Sequence, residues 1–367
     1  MDKIKVLHVG LDTHLGGIET YLLKISSYID RSRFQFGFLA YDNIRPCFYD
    51  ELSSLGCSFH FVTSRRKSWM KNRSDLKNLF SQEQFDIVHC HLNSLTYITP
   101  ALEGLKSGSH VIIHSRNGGL AFGSSSRILG FINRFRMPWD KVTRAAVSDM
   151  AGKWMFGDRD FIVLNNGLDT SKYCFSEKDR IATRKALGID EETEIVLNVG
   201  ALRPQKNHFF LIEVFDEYHQ KHDNSVLLLV GEGELESEIR KKVNDLGLGE
   251  AVIFAGKRND IPAVLSASDK FLFPSLYEGF PNALIEAETS GLACVASDTI
   301  TQQACLENCH MVSLEAPISE WVNTLKMPST FDRKECVEIV EKAGFGIREE
   351  ILRLENLYES LYKRGNR

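Results

Sequence analysis

The feature that most constrains the fold is a pattern that the sequence runs through twice. In each half of the chain, short apolar segments alternate with stretches whose apolar residues repeat with the period of a helix. Strands that are apolar along their whole length and are separated by helices are typical of parallel sheets with both faces covered. The sequence therefore predicts an α/β protein with two Rossmann-like, doubly wound parallel-sheet domains facing a cleft.

The first half starts with a strand at residues 4–10, a turn containing Gly16 and Gly17, and a helix at 20–29. Further strands are predicted at residues 34–41, 59–63, 86–91, 111–114, 145–148 and 161–165. After a hinge at Asn166 and Gly167 the pattern starts again, with strands at residues 195–200, 226–231, 252–256, 270–273 and 293–297. We expect domains at residues 1–170 and 171–344, and an amphipathic helix within residues 345–367.

Composition excludes several classes of protein. The 43% hydrophobic and 25% charged residues are typical of a soluble globular chain, and 367 residues exceed the usual size of a single core. No apolar run approaches the roughly 20 residues that span a bilayer, and the N-terminus leads into a strand without a signal-peptide pattern. We expect a cytoplasmic protein.

Cysteine and histidine spacing argues against a metal centre. The eight cysteines are scattered, and the close pair Cys305 and Cys309 lacks the second pair of a zinc site, so neither disulfides nor structural zinc are expected. His89 and His91 alternate on one face of a predicted strand, with His114 further along the chain. A metal site there is an alternative to a role in the core or the cleft, which we favour.

The segment at residues 273–287 predicts a strand, a turn and a helix. Gly279 allows a sharp turn, and Pro281 suits the start of a helix because its missing N–H would be unpaired there. The N–H groups of Asn282, Ala283 and Leu284 would then point out of the positive end of the helix. This arrangement predicts an anion site, with a phosphate as the first ligand to consider.

Two carboxylates bracket this turn. Glu278 precedes the predicted helix, and Glu286 lies about one turn inside it. Beside a phosphate, a carboxylate is best used to accept hydrogen bonds from hydroxyl groups, which suggests a sugar. The alternative is that Glu278 caps a turn and Glu286 is a solvated helix residue.

Basic residues follow two strands of the same half. Arg203 and Lys206 come after the strand at residues 195–200 and are well placed for a diphosphate, unless the loop is simply solvated. Lys257 and Arg258 follow another strand and could border a nucleotide base, the alternative being plain surface charge.

These residues carry a family resemblance that covers nearly the whole chain. Glu278 and Glu286 in their context, the turn at Gly16 and Gly17, the loop from Arg203 to Asn207, and Asn166-Gly167 resemble the retaining GT-B glycosyltransferases of family 4. The segment at residues 293–301 is especially similar to enzymes of bacterial capsular polysaccharide and exopolysaccharide synthesis. The resemblance implies transfer of a sugar from a UDP-sugar to a saccharide acceptor that is lipid-linked, with retention and without a metal or other cofactor.

The resemblance also implies roles for the residues. Glu286 would hold the ribose, Glu278 with Gly279 and Phe280 the transferred sugar, and Arg203 with Lys206 the leaving diphosphate. The first domain would lie on the acceptor side, and the final helix would cross back to it. The expected catalytic residues are Glu278, His114, Lys206 and Arg203. The expected donor-binding residues are Gly16, Gly17, Arg203, Lys206, Arg258, Glu278, Gly279, Phe280, Asn282, Ala283, Leu284 and Glu286.

One position departs from the family pattern. The family often carries arginine where this chain has Ala201, and we expect Arg203 to substitute because alternate residues of an extended segment point the same way. Because of this departure, a non-catalytic binder of sugar nucleotides remains an alternative. A UDP-sugar epimerase or isomerase on the same fold is a separate alternative. A dehydrogenase is not supported, because no Gly-x-Gly-x-x-Gly follows the first strand.

The two halves of the chain differ in charge. Through Asn165 there are 21 lysines and arginines against 15 acids, and the remainder has 23 against 34. Residues 65–73 join five cations to Trp69 and Met70, and residues 127–139 interleave cations with apolar side chains. The residues concerned are Arg65, Arg66, Lys67, Lys71 and Arg73, and Arg127, Ile128, Leu129, Phe131, Ile132, Arg134, Phe135, Arg136 and Trp139. We expect an anionic membrane surface as partner, the alternative being ordinary surface and core positions, and no nucleic acid, for which no module is present.

Overall fold

A computed structural model describes residues 3–118, 124–329 and 331–365 of the chain. The chain divides into two compact units, of which the first combines Met1–Gly167 with Ile347–Arg367 and the second is Leu168–Gly346. Each unit is built around one sheet, and the strand pairs of both sheets are parallel. The predicted class, an α/β protein with two doubly wound parallel sheets, is confirmed.

The first unit contains a seven-stranded sheet in the order β3-β2-β1-β4-β5-β6-β7. Its strands are β1 (Ile4–Val9), β2 (Phe34–Tyr41), β3 (Ser58–Val62), β4 (Ile87–Leu92), β5 (His110–Ser115), β6 (Val142–Ala146) and β7 (Ile162–Val163). Its helices are α1 (Gly17–Tyr28), α2 (Tyr49–Ser54), α3 (Trp69–Gln82), α4 (Thr99–Lys106), α5 (Ser124–Arg136), α6 (Asp149–Phe156) and, at the end of the chain, α14 (Ile347–Gly365).

Helix α14 completes the core of the first unit. Its apolar residues recur every three or four positions, and Ile351, Leu354 and Tyr358 are buried in the same cluster as the apolar side chains of β1 and β2. Burying a side chain of this size contributes about 1.5–3 kcal/mol. The carboxylate of Glu355 fixes the register by accepting a hydrogen bond from Asp30 N–H at 2.9 Å.

The second unit contains a six-stranded sheet in the order β10-β9-β8-β11-β12-β13. Its strands are β8 (Glu194–Val199), β9 (Ser225–Val230), β10 (Val252–Gly256), β11 (Lys270–Phe273), β12 (Ala293–Ser297) and β13 (Cys309–Val312). Its helices are α7 (Glu177–Leu187), α8 (His208–His219), α9 (Glu236–Asp245), α10 (Ile261–Ala267), α11 (Asn282–Thr289), α12 (Ile318–Leu325) and α13 (Cys336–Lys342).

Both sheets have a point at which the strand order reverses. In the first unit it lies between β1 and β4, and in the second between β8 and β11. Ligands of open α/β sheets bind beyond the carboxyl ends of the strands at such points. The loops that follow β8 and β11, at residues 200–207 and 274–281, are therefore the first place to look for a site in the second unit.

The cysteine prediction was wrong at one pair. Cys305 and Cys309 form a disulfide, with their Cα atoms 5.1 Å apart. The separation falls within the range that a disulfide requires, and it arises because Cys309 begins β13 directly after a short turn. None of the described helices combines the length and apolar character needed to cross a bilayer.

Candidate functional site

The candidate site centres on an ion pair at the strand reversal of the second unit. Lys206 follows β8, Glu278 follows β11, and Lys206 Nζ lies 2.7 Å from Glu278 Oε1. Both side chains are largely buried, and Lys206 Nζ also lies 4.5 Å from the centre of the Phe273 ring. Low exposure strengthens the pairing relative to a surface ion pair. The structure thus brings together two of the residues predicted for the site.

Gly200 makes room for this lysine. A Cβ added at Gly200 would lie 2.9 Å from Lys206 Cε, so the lysine side chain runs directly across the glycine. Gly231 and Gly233 have a different reason to be glycine. Their added Cβ atoms would lie 2.0 Å from Gly200 O and 2.4 Å from Leu202 O, so these glycines allow the loops after β8 and β9 to pack closely.

Two residues beside the pair were missed by sequence reasoning. Gln205 Nε2 donates to Glu278 Oε2 at 3.1 Å and to Tyr277 O at 2.9 Å. His208, the first residue of α8, is buried, and burial together with the charge of Lys206 lowers its pKa to about 4. Neither carries a sequence signal of its own, apart from adjacency to Lys206.

The start of α11 offers fewer amides than predicted. Asn282 N–H donates to Phe280 O at 3.0 Å, and Leu284 N–H donates to Pro281 O at 3.0 Å. The cause is a tight turn at Pro281, whose carbonyl accepts bonds from the first helical turn. Of the three N–H groups predicted to face an anion, the described structure leaves Ala283 N–H without a backbone acceptor.

Glu286 lies in α11, one turn after Asn282, and is half-buried. The hydroxyl of Tyr173 is hydrogen-bonded to its carboxylate, and burial, followed by the charge of Glu286, raises the pKa of Tyr173. Phe280 packs its ring 5.4 Å from that of Phe345. Tyr173 precedes α7, more than a hundred residues before Glu286, so no local pattern could have paired them.

Two predicted cations, Arg203 and Arg258, form no ion pair with Glu278 in the described part of the chain. Arg203 is exposed, and its N–H donates to Ala201 O at 2.8 Å, so the chain bends here and is not extended as assumed for the substitution of Arg203 for Ala201. Arg258 forms an ion pair with Asp260 through both Nε and Nη2, which neutralises its charge locally.

The glycine turn of the first unit is occupied by a side chain of the protein. Gly16 is the residue before α1, and a Cβ there would lie 2.9 Å from Glu19 Oε2. The buried Glu19 carboxylate accepts a hydrogen bond from Asp12 N–H at 3.2 Å and further bonds from the backbone of Gly16 and Glu19. The turn at Gly16 and Gly17, predicted to bind the donor, is thus already bonded to a carboxylate through the backbone of Gly16.

His114 lies inside its strand and not beyond it, because β5 continues to Ser115. Its ring is fully buried, with Nδ1 3.0 Å from His89 Nε2, and burial holds its pKa well below the usual value. In the same layer, His8 Nδ1 lies 3.1 Å from His91 Nε2. We call His8, His89, His91 and His114 the histidine cluster.

The histidine cluster is close enough for metal binding, but its hydrogen bonds oppose it. The ligand atoms of His8, His89 and His91 lie within 4.8 Å of one another. Arg116 Nε–H donates to His91 Nδ1 at 3.2 Å, so the proton of His91 is on Nε2 and points at His8. A metal-binding histidine instead donates its second N–H to an acceptor. A buried guanidinium also repels a cation, so the geometry favours a hydrogen-bonded core.

Comparisons with known proteins agree with this architecture. Residues 179–307 match the family model described as glycosyl transferases group 1. The chain is 30% identical over 372 residues to EpsF of Bacillus subtilis (strain 168), provisionally named as a glycosyltransferase, with 96% of each chain covered. It is 28% identical over 314 residues to the UDP-Gal:alpha-D-GlcNAc-diphosphoundecaprenol alpha-1,3-galactosyltransferase of Escherichia coli, covering 81% of this chain and 80% of the relative.

Solved structures share the fold. Anabaena Alr3699/HepE in complex with UDP superposes with a TM-score of 0.80 at 19% identity, covering 97% of this chain and 100% of that chain.

Proposed function

The chain belongs to the group 1 glycosyltransferases, and from this premise we propose that it moves a sugar from a UDP-sugar to a hydroxyl group of a lipid-linked saccharide. The observation that carries the proposal is the ion pair of Lys206 and Glu278 at the strand reversal of the second unit. The name of the Escherichia coli relative supplies the donor and acceptor classes, a UDP-sugar and a diphosphoundecaprenol-linked sugar. Bacterial surface polysaccharide synthesis is the process we propose.

In this proposal Lys206 neutralises the diphosphate that leaves, because a cation in a partly buried site stabilises developing negative charge. Glu278 accepts hydrogen bonds from hydroxyl groups of the transferred sugar, and Glu286 from those of the ribose. Both oxygens of Glu278 already accept hydrogen bonds, which suits a binding role better than a nucleophile. We therefore propose retention by front-face substitution, with the diphosphate acting as base.

Binding of UDP to purified protein tests the site. Lys206→Ala and Glu286→Ala each remove a charge-assisted hydrogen bond of about 1.5–3 kcal/mol, so UDP binding should weaken by about 10- to 100-fold and turnover should fall. Lys221→Ala is the matched control, because Lys221 forms a lysine–glutamate pair with Glu217 on the surface of the same unit. Calorimetry measures both effects, and unchanged affinity in both site variants would remove the assignment.

We propose that the reaction needs no metal ion, with Lys206 serving where other enzymes place one. The support is the cation already paired at the site. Released UDP, measured with a panel of UDP-sugars and a membrane extract as acceptor, should be unchanged by EDTA. A loss of activity restored by a divalent cation would contradict this.

We also propose that the first unit binds the anionic surface of the cytoplasmic membrane. Helix α5 exposes four apolar side chains, which we call the apolar ridge: Ile128, Phe131, Ile132 and Phe135. Trp69 and Met70 at the start of α3 are 64% and 66% exposed. A soluble protein rarely leaves such a set uncovered without a binding role.

The two exposed segments adjoin the same stretch of backbone. Asn133 on α5 donates to Leu95 O at 2.8 Å, and the Arg65 guanidinium before α3 bonds to Thr96 O. We propose that the apolar ridge and Trp69 act as one surface, together with the exposed Arg66 and Lys67.

Part of the predicted membrane segment belongs to the fold instead. The Arg134 guanidinium donates to Trp154 O at 2.7 Å, and Trp139 is buried with Nε1 donating to Arg134 O at 2.8 Å. The side chain of Arg127 lies outside the described residues.

Flotation with vesicles containing phosphatidylglycerol tests the membrane proposal. Each cation contributes about 1 kcal/mol near an anionic surface, so changing Arg65, Arg66 and Lys67 to serine should reduce binding by about 100-fold. Phe131→Ser with Phe135→Ser should also release the protein, because these apolar side chains would no longer insert. Leu352→Ser, at an exposed leucine of α14, is the matched control. Absence of binding by the unaltered protein, or binding unaffected by the serine changes, would reject the surface.

A further inference from the structure

Gln205 ties together the two loops that carry the ion pair. The side-chain amide of Gln205 donates to Tyr277 O and to Glu278 Oε2. The backbone carbonyl oxygen of Gln205 accepts a hydrogen bond from Leu276 N–H at 2.8 Å. Three hydrogen bonds from one residue therefore fix the loop after β11 against the loop after β8. Both groups that the side chain of Gln205 contacts, Tyr277 O and Glu278 Oε2, are acceptors. Only the NH2 group of the amide can therefore face them, and this sets the orientation of the amide.

The two oxygens of Glu278 have different partners. Oε1 is bonded to the charged Lys206 and Oε2 to the neutral Gln205. A lysine ammonium sits on a flexible stem and can turn to another anion, whereas the amide of Gln205 is held by its second bond to Tyr277 O. Of the two bonds, the one from Gln205 is the one that survives when Lys206 changes partner.

Binding of a diphosphate makes this difference matter. If Lys206 turns to the diphosphate, Glu278 loses its counter-charge and faces added negative charge. A carboxylate in that situation moves away unless another donor retains it. It must nevertheless stay in place to accept hydrogen bonds from the sugar.

We propose that Gln205 is a positioning residue that holds Glu278 in place while Lys206 exchanges from the carboxylate to the donor diphosphate. The proposal rests on the proposed function, in which Lys206 binds the diphosphate and Glu278 the sugar. In the structure the Glu278 carboxylate is bonded to Lys206, where the proposal places a phosphate of the donor. Donor binding frees Oε1 for a sugar hydroxyl, and the Gln205 amide keeps Oε2 fixed.

Gln205→Met tests the positioning role, because methionine keeps the length of the side chain and removes the amide donor. Loss of one charge-assisted hydrogen bond to Glu278 should lower kcat with the best UDP-sugar of the panel by about tenfold, while UDP affinity changes by less than about twofold. The matched control is Gln220→Met, whose amide donates to Asp216 Oδ1 at 3.1 Å on the surface of α8. The positioning role would be overturned if Gln205→Met lowered kcat and UDP affinity equally. It would also be overturned if Gln205→Met and Gln220→Met had equal effects.

A double-mutant cycle separates positioning from general damage to the loop. In a Glu278→Ala background, Gln205→Met should lower turnover by less than about twofold, since the group that it positions is already gone. Independent, multiplicative effects of the two changes would overturn the proposal.

The exchange of Lys206 has a signature that does not depend on altering Gln205. Glu278→Gln should bind UDP about three- to tenfold more tightly than the unaltered protein, because Lys206 no longer leaves a carboxylate and the phosphate no longer meets one. Equal or weaker UDP binding by Glu278→Gln would overturn the exchange of Lys206 from Glu278 to the diphosphate. This test can be made even if Gln205→Met fails to fold.

The outcomes distinguish this inference from the proposed function. If the unaltered protein does not bind UDP, or binds it independently of Lys206 and Glu286, the proposed function fails and this inference fails with it. If UDP binding depends on Lys206 and Glu286 but the cycle is multiplicative, only the role of Gln205 is lost.

Discussion

Each unit places a carboxylate against the loop that follows its first strand, but the two units hold this carboxylate differently. In the first unit, the carboxylate of Glu19 accepts bonds from backbone amides, including Asp12 N–H. In the second unit, the carboxylate of Glu278 accepts bonds from the side chains of Gln205 and Lys206. Backbone amides are fixed by the chain, whereas an ammonium group on a flexible stem can change its partner. The comparison indicates that an anion from outside is more readily admitted to the second unit.

The layers beneath these carboxylates also differ in polarity. On β1, β4 and β5 the first unit buries the histidine cluster, next to the buried Arg116. The core of the second unit is formed by aliphatic and aromatic side chains such as Leu197, Leu272 and Phe215. The two sheets have the same kind of strand order, but their interiors are expected to respond differently to pH. The topology of a sheet therefore does not determine how polar its core is.

The largest difference between the units is expected in the free energy of unfolding when the glycine after the first strand, Gly10 or Gly200, is changed to alanine. Gly10 has φ +130°, and a Cβ there would lie 2.6 Å from His91 O, whereas a Cβ at Gly200 meets the movable end of Lys206. We expect Gly10→Ala to lower the free energy of unfolding by about 4 kcal/mol, through backbone strain and a clash that cannot relax. Gly200→Ala should cost less than about 1 kcal/mol.

The second readout is binding. Gly200→Ala should weaken UDP binding about tenfold because it displaces Lys206. Urea unfolding and UDP calorimetry on both variants check the pair. A Gly200→Ala protein that binds UDP normally would contradict the close packing of Lys206 on Gly200.

Acidification from pH 7.5 to 5.5 should move the stabilities of the two units in opposite directions. In the first unit, burial holds the pKa values of the histidine cluster below the ordinary value, to about 3 for His8. These residues protonate only on unfolding, so stability is lost as the pH falls through about 6.5, by about 5 kcal/mol for the four together. Burial raises the pKa of Glu350 to about 8, which acts in the opposite sense and offsets about 2 kcal/mol.

In the second unit the balance reverses. The pKa of His208 is lowered to about 4 by burial and by the charge of Lys206. His208 therefore also protonates only on unfolding and lowers the stability of the second unit as the pH falls. Burial raises the pKa of Glu288 to about 8, so its carboxyl group stabilises the folded state at low pH, and this stabilisation is lost as the pH rises toward 8. The net expectation is a loss of about 3 kcal/mol in the first unit and a gain of about 1 kcal/mol in the second.

Tryptophan fluorescence can follow each unit separately. Trp321 is buried in the second unit, and the other three of the four tryptophans, Trp69, Trp139 and Trp154, are in the first. Urea unfolding at both pH values, with Trp321→Phe in one protein and the other three changed to phenylalanine in a second, reports the units in turn. Transitions that shift equally in both proteins would contradict the difference in polarity.

The fold was readable because buried parallel strands leave a strong signal. β2, β10, β11 and β12 begin and end at the predicted residues, each as an apolar run next to glycine, proline or polar residues. β13 was missed because its sequence, Cys309–Val312, is short and contains one β-branched residue. An edge strand of this length is fixed by its pairing with β12, and pairing is not visible in a local pattern.

The residues of the candidate site could be predicted from the sequence only where they are charged. Lys206 and Glu278 were found because each follows a strand that was itself predicted. Gln205 was missed because an amide carries no charge, and its partners lie more than seventy residues away. Arg203 was expected to point like Ala201 because the loop was taken as extended, but the bend is set by hydrogen bonds within the loop. The roles of these residues stay predictions.

The smallest expected effect concerns the carboxylates themselves. Glu19→Gln replaces one oxygen by an amide donor that faces backbone N–H groups, so the free energy of unfolding should fall by about 1 kcal/mol. UDP affinity should stay the same, in contrast to the tighter binding expected for Glu278→Gln. Thermal unfolding and UDP titration of the two variants measure this difference. If Glu19→Gln also tightened UDP binding, the amides that hold Glu19 would be open to exchange as well, and the distinction between a closed turn and an exchangeable pair would be lost.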